Sequence, residues 1–180
     1  MKLGITGHRP HRLGGHDPEN PVIRRIEHNL ICILTSLKTH GYAVIGLTGM
    51  ALGVDQAFAR ACLSTQTPYH AYIPLPEQPN RWPDSSRAVY RDLLTHAAQQ
   101  HLTAAHVDSD QDVRRALLDR NSDIARDAQA AIAVWDGTPS GTADAVRKFR
   151  ALGRPLFVLA PNASVTDEQI ETWIRQLPPI

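Results

Sequence analysis

Along this chain the apolar positions switch repeatedly between two periods, and that switching is the first clue to its architecture. Short apolar runs at Leu3–Thr6, Ala43–Leu47, His70–Leu75, Ala130–Trp135 and Pro155–Leu159 read as buried strands. Between them lie longer stretches whose apolar residues recur three and four apart, the spacing of one helix face. Pro21–His40 is the clearest, with Val22, Ile23, Ile26, Leu30, Ile33, Leu34 and Leu37 on one face and Gly41 as its stop. Val54–Thr65 turns Val54, Ala57, Phe58, Ala61 and Cys62 inward. Arg87–Gln100, Asp110–Ala128 and Ala143–Leu152 are further predicted helices, and Leu102–Val107 is a short predicted strand. Asp108, Ser109 and Asp110 all suit the N-cap of the helix they precede. Thr166–Gln176 is helical, with Thr166 as N-cap and Gln169 completing a capping box.

Strands alternating with helices of this length predict βαβ units and an α/β fold with a mostly parallel sheet. Right-handed crossovers then place helices on both faces. No repeat or composition shift divides the 180 residues, so one domain over 1–180 is expected. Two segments are long enough to be functional loops: Pro10–Asn20, and Pro74–Ser86 with its run of prolines to Pro83.

Three predicted strands run directly into glycine-bearing loops that open helices, with glycines at Gly7, Gly49 and Gly137. In a parallel sheet such loops gather outside the carboxyl ends of the strands, where helix N-termini suit phosphate. In TGHRP (Thr6–Pro10), Gly7 sits at the strand exit beside His8, and Arg9 just beyond is placed to clamp a phosphate or carboxylate. In LTGMALGVD (Leu47–Asp55), Gly49 and Gly53 let backbone N–H groups approach a ligand, and Asp55 suits a ribose hydroxyl or a helix cap. In WDGTPSGTADAV (Trp135–Val146), Gly141 and Thr142 stand at a helix start, and Asp136 either binds a polar group or shapes the turn. Arg120 and Asn121 lie close to the inward face of a helix and need partners, structural or ligand. Trp82 and Tyr90 flank the proline-rich loop, where an aromatic either stacks on a base or packs the loop down.

Common phosphate motifs are absent: neither G-x-G-x-x-G after a strand nor G-x-x-x-x-G-K-[ST] occurs. His8, His11, His16 and Asp17 match no zinc spacing, so no metal and no cofactor are expected. A formal net charge of +1 gives no support for broad nucleic-acid binding. Cys32 and Cys62 are too few for a disulfide framework and read as buried small hydrophobes. With no charged-then-apolar leader pattern and no apolar run near the ~20 residues that span a bilayer, a cytoplasmic protein without membrane contact is expected.

Taken in order, the motifs Thr6-Gly7-His8-Arg9-Pro10 with Leu13-Gly14, Gly49 with Leu52-Gly53-Val54-Asp55, Arg120-Asn121, Ala131–Trp135 with Asp136-Gly137, and Ser140-Gly141-Thr142 resemble the YpsA-like family of the SLOG superfamily. That superfamily also contains the DprA and LOG proteins, and the resemblance covers Lys2 to about Leu159. It implies a Rossmann-like three-layer sandwich whose glycine loops bind a small nucleotide or nucleotide-derived ligand, in a sensor or accessory factor. It also implies a homodimer, for which the sequence identifies no interface.

LOG proteins are phosphoribohydrolases that cleave nucleoside monophosphates at the N-glycosidic bond, with a P-G-G-x-G-T-x-x-E loop. Here the loop is shortened to Pro139-Ser140-Gly141-Thr142-Ala143-Asp144-Ala145, and alanine replaces the glutamate. Hydrolysis is therefore the alternative function, with Asp144 or Asp55 as its remaining carboxylates. DprA proteins bind single-stranded DNA, and Gly53-Val54-Asp55 is similar to their helix start. Single-stranded DNA binding is therefore a further alternative, although a strand-binding groove wants clustered basic and aromatic residues and aromatics make up only 6% of this chain.

Overall fold

The computed structural model describes residues 1–17 and 20–180, so Pro18 and Glu19 of the predicted 10–20 loop lie outside the described residues. Six strands, β1 (Lys2–Gly7), β2 (Ile45–Thr48), β3 (Tyr69–Ile73), β4 (Gln99–Leu102), β5 (Ala130–Val134) and β6 (Leu156–Leu159), form one sheet in the order β4-β3-β2-β1-β5-β6. Every pairing is parallel. Helices α1 (Pro21–Thr39), α2 (Val54–Ser64) and α3 (Asp84–Thr95) carry the chain outward from β1 to β4. Helix α4 (Asp110–Asp127) returns it to β5 beside β1, and α5 (Gly141–Ala151) continues the opposite way to β6. A final helix, α6 (Asp167–Ile174), packs in the layer of α1. Winding reverses between β1 and β5, so right-handed crossovers put α1–α3 on one face and α4–α5 on the other. The fold is the Rossmann-like α/β sandwich expected.

The two faces bury unequal cores. Leu3 and Ile5 of β1 and Ile132 and Val134 of β5 enter a thick cluster with Ile26, Leu30, Leu34 and Phe58. On the opposite face, Ala131 meets a smaller cluster with Ile124, Ala128 and Phe149. A Cβ on Gly4 would stand 3.0 Å from Phe149 and 3.2 Å from Ala128. Small residues on this face let α4 and α5 lie close to the sheet, which later sets α4 side chains against the loop after β2.

Local signals hold the helix ends. The Asn20 side chain accepts from Val22 N at 2.9 Å, with Pro21 opening α1. Of the three cap candidates before α4, Ser109 is the one used: its Oγ accepts from Asp112 N at 3.2 Å. Thr166 and Gln169 form the predicted capping box. Cys32 and Cys62 are free thiols, Cys62 buried and Cys32 half-buried. Among the described residues no helix is long and apolar enough to cross a membrane.

One region departs from expectation. The third helix stops at Thr95 instead of running to Gln100, and the strand is Gln99–Leu102 instead of Leu102–Val107. Every residue of β4 is exposed, so it carries no apolar alternation to be read. Its strand state depends on pairing with β3, from His70 with Gln99 to Ile73 with Leu102. That pairing is invisible locally.

The same sheet edge predicts a pH response. His70 is buried on β3, near His101, with its ring centroid 5.7 Å away, and Tyr72 stacks on that same His101 ring at 4.5 Å. Burial, then the charges of His101 and Lys2, lower its pKa below the ordinary 6.5. The unfolded chain thus takes up this proton more readily than the folded one, so His70 opposes folding as pH falls through 6.5 and below. Urea denaturation at pH 7.5 and 5.5 should show a smaller acid loss of stability for His70→Gln than for wild type. Equal losses would mean that His70 does not titrate during unfolding.

Candidate functional site

Where the winding reverses, the loops after β1 and β5 diverge and leave a crevice outside the carboxyl ends of the strands. A cavity of about 550 Å³ opens there, within the range typical of small-molecule sites. The end of β1 contributes Thr6 and Gly7, followed by His8, Arg9, His11 and Arg12. Helix α4 contributes Arg114, Leu117, Leu118, Arg120, Asn121 and Ile124, and the start of α5 contributes Ser140, Gly141 and Thr142. Ala51 and Asp55 reach it from the loop and helix after β2. Four arginines thus face the cavity, against a single carboxylate among its described lining residues. Its charge favours an anion.

At the inner end, Arg120 Nη1 lies 3.5 Å from Asp55 Oδ2, both side chains being buried. Asp55 Oδ2 also accepts from Ala51 N at 3.3 Å. Burial pushes the Asp55 carboxyl up, opposed by the positive charges of Arg120 and Arg9. Burial likewise lowers the pKa of Arg120, opposed by Asp55, although a guanidinium stays protonated at any ordinary pH. Arg120 Nε is buried without a hydrogen-bond partner. Such an orphan donor is costly unless something accepts from it. The Arg9 side chain has no hydrogen bond or ion pair with another described residue, yet its charge acts on both members of the pair.

The 49–53 loop is built to hold this pair. A Cβ on Gly49 would stand 1.2 Å from Arg120 Nη1, so the guanidinium occupies the space a side chain would fill. Gln78 Nε2 donates to Gly49 O at 3.1 Å, and Gln56 Nε2 donates to Met50 O at 3.3 Å. Met50 N donates to Thr48 Oγ1 at 3.2 Å, although Met50 is in the left-handed region at φ 57°. These bonds hold a backbone conformation that a non-glycine residue rarely adopts.

The loops after β1 and β5 are tied to each other. His8 is buried, and its Nε2 lies 2.7 Å from Asp136 Oδ1. Asp136 Oδ1 also accepts from Thr138 Oγ1 at 2.6 Å and Thr138 N at 2.9 Å. Those bonds, the Thr138 hydroxyl foremost and His8 after them, hold the Asp136 carboxyl well below the usual range. The Arg12 guanidinium crosses the same gap, donating to Thr138 Oγ1 and to Pro139 O. At the start of α5, Ser140 Oγ caps Ala143 N at 3.3 Å. Gly141 and Thr142 stand in the first turn of α5, where backbone N–H groups have no partner within the helix and its dipole is positive, and both residues line the cavity.

Of the residues the sequence singles out, Gly7, His8, Arg9, Asp55, Arg120, Asn121, Gly141 and Thr142 line this cavity together. Gly49 does not line it, because Arg120 covers it. Gly53 has φ +96° and approaches His8 O so closely that a Cβ would stand 2.6 Å away. It borders a second cavity, of about 610 Å³, between α1, α2 and α3. Asp136 braces His8 and its own turn and is not among the lining residues. Trp82 packs edge-on against Tyr90 at 5.3 Å, and Tyr90 donates to Gln78 Oε1 at 3.4 Å, so both brace the proline-rich loop. Asp144 pairs with Lys148 at 2.8 Å and Arg147 at 3.5 Å, outside the cavity. Arg114, Leu117 and Leu118 line the cavity without being anticipated, although their spacing to Asn121 follows one helix face.

Comparison with known proteins gives concordant matches. The family model YpsA, described as the YspA SLOG family, matches residues 3–148. The uncharacterized SPbeta prophage-derived protein YoqJ of Bacillus subtilis is 26% identical over 159 residues, covering 80% of this chain and 92% of YoqJ. Among solved structures, DNA processing protein A of Streptococcus pneumoniae superposes with TM-score 0.63 at 15% identity, over 97% of this chain. This chain spans 56% of that protein's length. DNA processing protein A of Helicobacter pylori, described for its single-stranded DNA binding mode, gives 0.64 at 17% identity, covering 99% of this chain and 82% of that one.

Proposed function

Because this chain belongs to the YspA SLOG family, we propose that its cavity between β1 and β5 binds a small phosphorylated nucleotide-type ligand, in a sensor or accessory factor. One observation carries the reading: two guanidiniums without a full set of partners, Arg9 and Arg120, share a cavity with the start of α5. Phosphate accepts from backbone N–H groups and arginine at once, and helix N-termini favour its charge. The apolar Leu117, Leu118 and Ile124 beside these donors suit the sugar and base.

Two other activities draw less support. Glycosidic cleavage needs a carboxylate at the reacting sugar. Asp144 is engaged by Lys148 and Arg147, and Asp55 by Arg120. Single-stranded DNA binding, named for the Helicobacter pylori neighbour, relies on aromatic platforms along a basic groove, and Trp82 is turned against Tyr90.

Calorimetric titration with nucleoside monophosphates tests the proposal. Arg9→Ala should weaken binding by roughly 1.5–3 kcal/mol, as for lost hydrogen bonds to a charged group, while leaving the melting temperature unchanged. Unaltered affinity would remove Arg9 from the site. Chromatography of the same mixtures should return the nucleotides intact, and multiple turnovers of free base would promote the hydrolase.

A further inference from the structure

The inner end of the cavity accounts for a phosphate, but the outer end carries donors that a phosphate there does not use. Helix α4 lines the cavity from its buried C-terminal half to its exposed N-terminal half: Ile124 and Arg120 are buried, Asn121 and Leu117 half-buried, Leu118 and Arg114 exposed. Arg114 and Arg120 are six residues apart, about 9 Å along the helix axis. Both line the cavity, Arg120 from its buried inner part and Arg114 from its exposed outer part. Leu117 and Leu118 lie between them, an apolar surface for a flat ring.

Arg114 is placed unlike its neighbours. Arg115 pairs with Asp119 at 3.9 Å, and Arg12 is engaged by Thr138 and Pro139. The Arg114 side chain has no hydrogen bond or ion pair with any described residue, yet lines the cavity. Its guanidinium only donates. The cavity's lining carboxylate, Asp55, is buried at the inner end against Arg120, so it offers no acceptor at the outer end. A base reaching Arg114 therefore meets a donor fork without a facing carboxylate. Guanine and hypoxanthine present two acceptors, O6 and N7, that match an arginine fork, whereas adenine presents an amino donor beside N7.

Resting on the proposed nucleotide site, we infer that Arg114 is a specificity-determining residue that selects 6-oxopurine nucleotides over adenine nucleotides. The inner donors bind the phosphate whatever the base, and Arg114 reads the edge of the base.

The test titrates the full chain with ribose 5-phosphate, GMP, IMP and AMP by calorimetry, for wild type and Arg114→Ala. GMP and IMP should bind wild type about ten-fold or more tighter than AMP, within the range of one bidentate arginine contact. Arg114→Ala should bring GMP and IMP down to the AMP level and leave ribose 5-phosphate unchanged. Because Arg114 is exposed and has no ion pair among the described residues, the variant should melt at the wild-type temperature. AMP binding as tightly as GMP would overturn the inference while leaving the phosphate site standing. So would an Arg114→Ala loss shared equally by ribose 5-phosphate and all nucleotides, which would make Arg114 a general anion contact. Binding of none of the four probes would refute the nucleotide reading itself, and the base preference with it.

Discussion

Asp55→Ala should destabilise the protein by about 3–5 kcal/mol, the usual effect of removing one partner from a buried ion pair. The loss comes less from the attraction itself than from what remains. Arg120 would keep a buried positive charge, with Nε already lacking a partner and Arg9 adding repulsion. Ala51 N would also lose its acceptor. Relaxation is restricted, because the guanidinium lies in the space over Gly49 and the Gly49 carbonyl is held by Gln78. Urea denaturation monitored by tryptophan fluorescence measures this directly. A loss below ~1 kcal/mol would show that Arg120 swings into solvent, and the pair would then not organise the inner end of the cavity.

Gly53→Ala should be nearly as damaging, through the backbone. Gly53 has φ +96°, a region that side chains rarely adopt, and its Cβ would stand 2.6 Å from the carbonyl oxygen of His8. That oxygen belongs to backbone that Val54 N contacts at 3.4 Å, while His8 N donates to Val134 O at 3.3 Å. It cannot retreat without loosening β1 from β5 or α2 from β1. Backbone strain alone is worth about 1–3 kcal/mol, and displacement of the loop adds to it, for about 3 kcal/mol or more in all. For a chain of this size that lowers the melting temperature by roughly 6–12 °C. A melting temperature unchanged from wild type would show that the approach of α2 to the β1 loop tolerates a methyl group.

The sequence was most informative where structure is local. The α1 stripe from Ile23 to Leu37 is buried as its spacing predicts, and Thr166 with Gln169 caps α6 as written. Both depend on residues within one or two turns of each other. The position of β4 is not legible in the sequence, because its exposed residues, Gln99 to Leu102, form a strand only by pairing with β3. The candidate site divides the same way. Gly7, Arg9, Gly141 and Thr142 were legible because each follows a strand and begins a loop or helix, and the cavity includes all four. Gly49 and Gly53 stand out in the sequence, but the space they leave serves Arg120 and His8 O. Trp82 stood beside a long loop and turned out to brace it. Arg114 gave no local sign, since a single exposed arginine on a charged helix end resembles any other.

By itself the sequence determined the alternation of strands and helices, and with it the parallel α/β class and the end of the sheet where the glycine-bearing loops gather. Periodicity, caps and glycine-bearing strand exits act over a few residues, so they are written locally. Only the tertiary structure decided which side chains face that crevice. Asp55 and Arg120 meet across 65 residues of chain, on α2 and α4. Their meeting depends on how closely α4 lies on a sheet face made of Gly4 and Ala131, and on the open space above Gly49. Packing distance between layers is a property of the assembled core, set jointly by residues far apart in sequence.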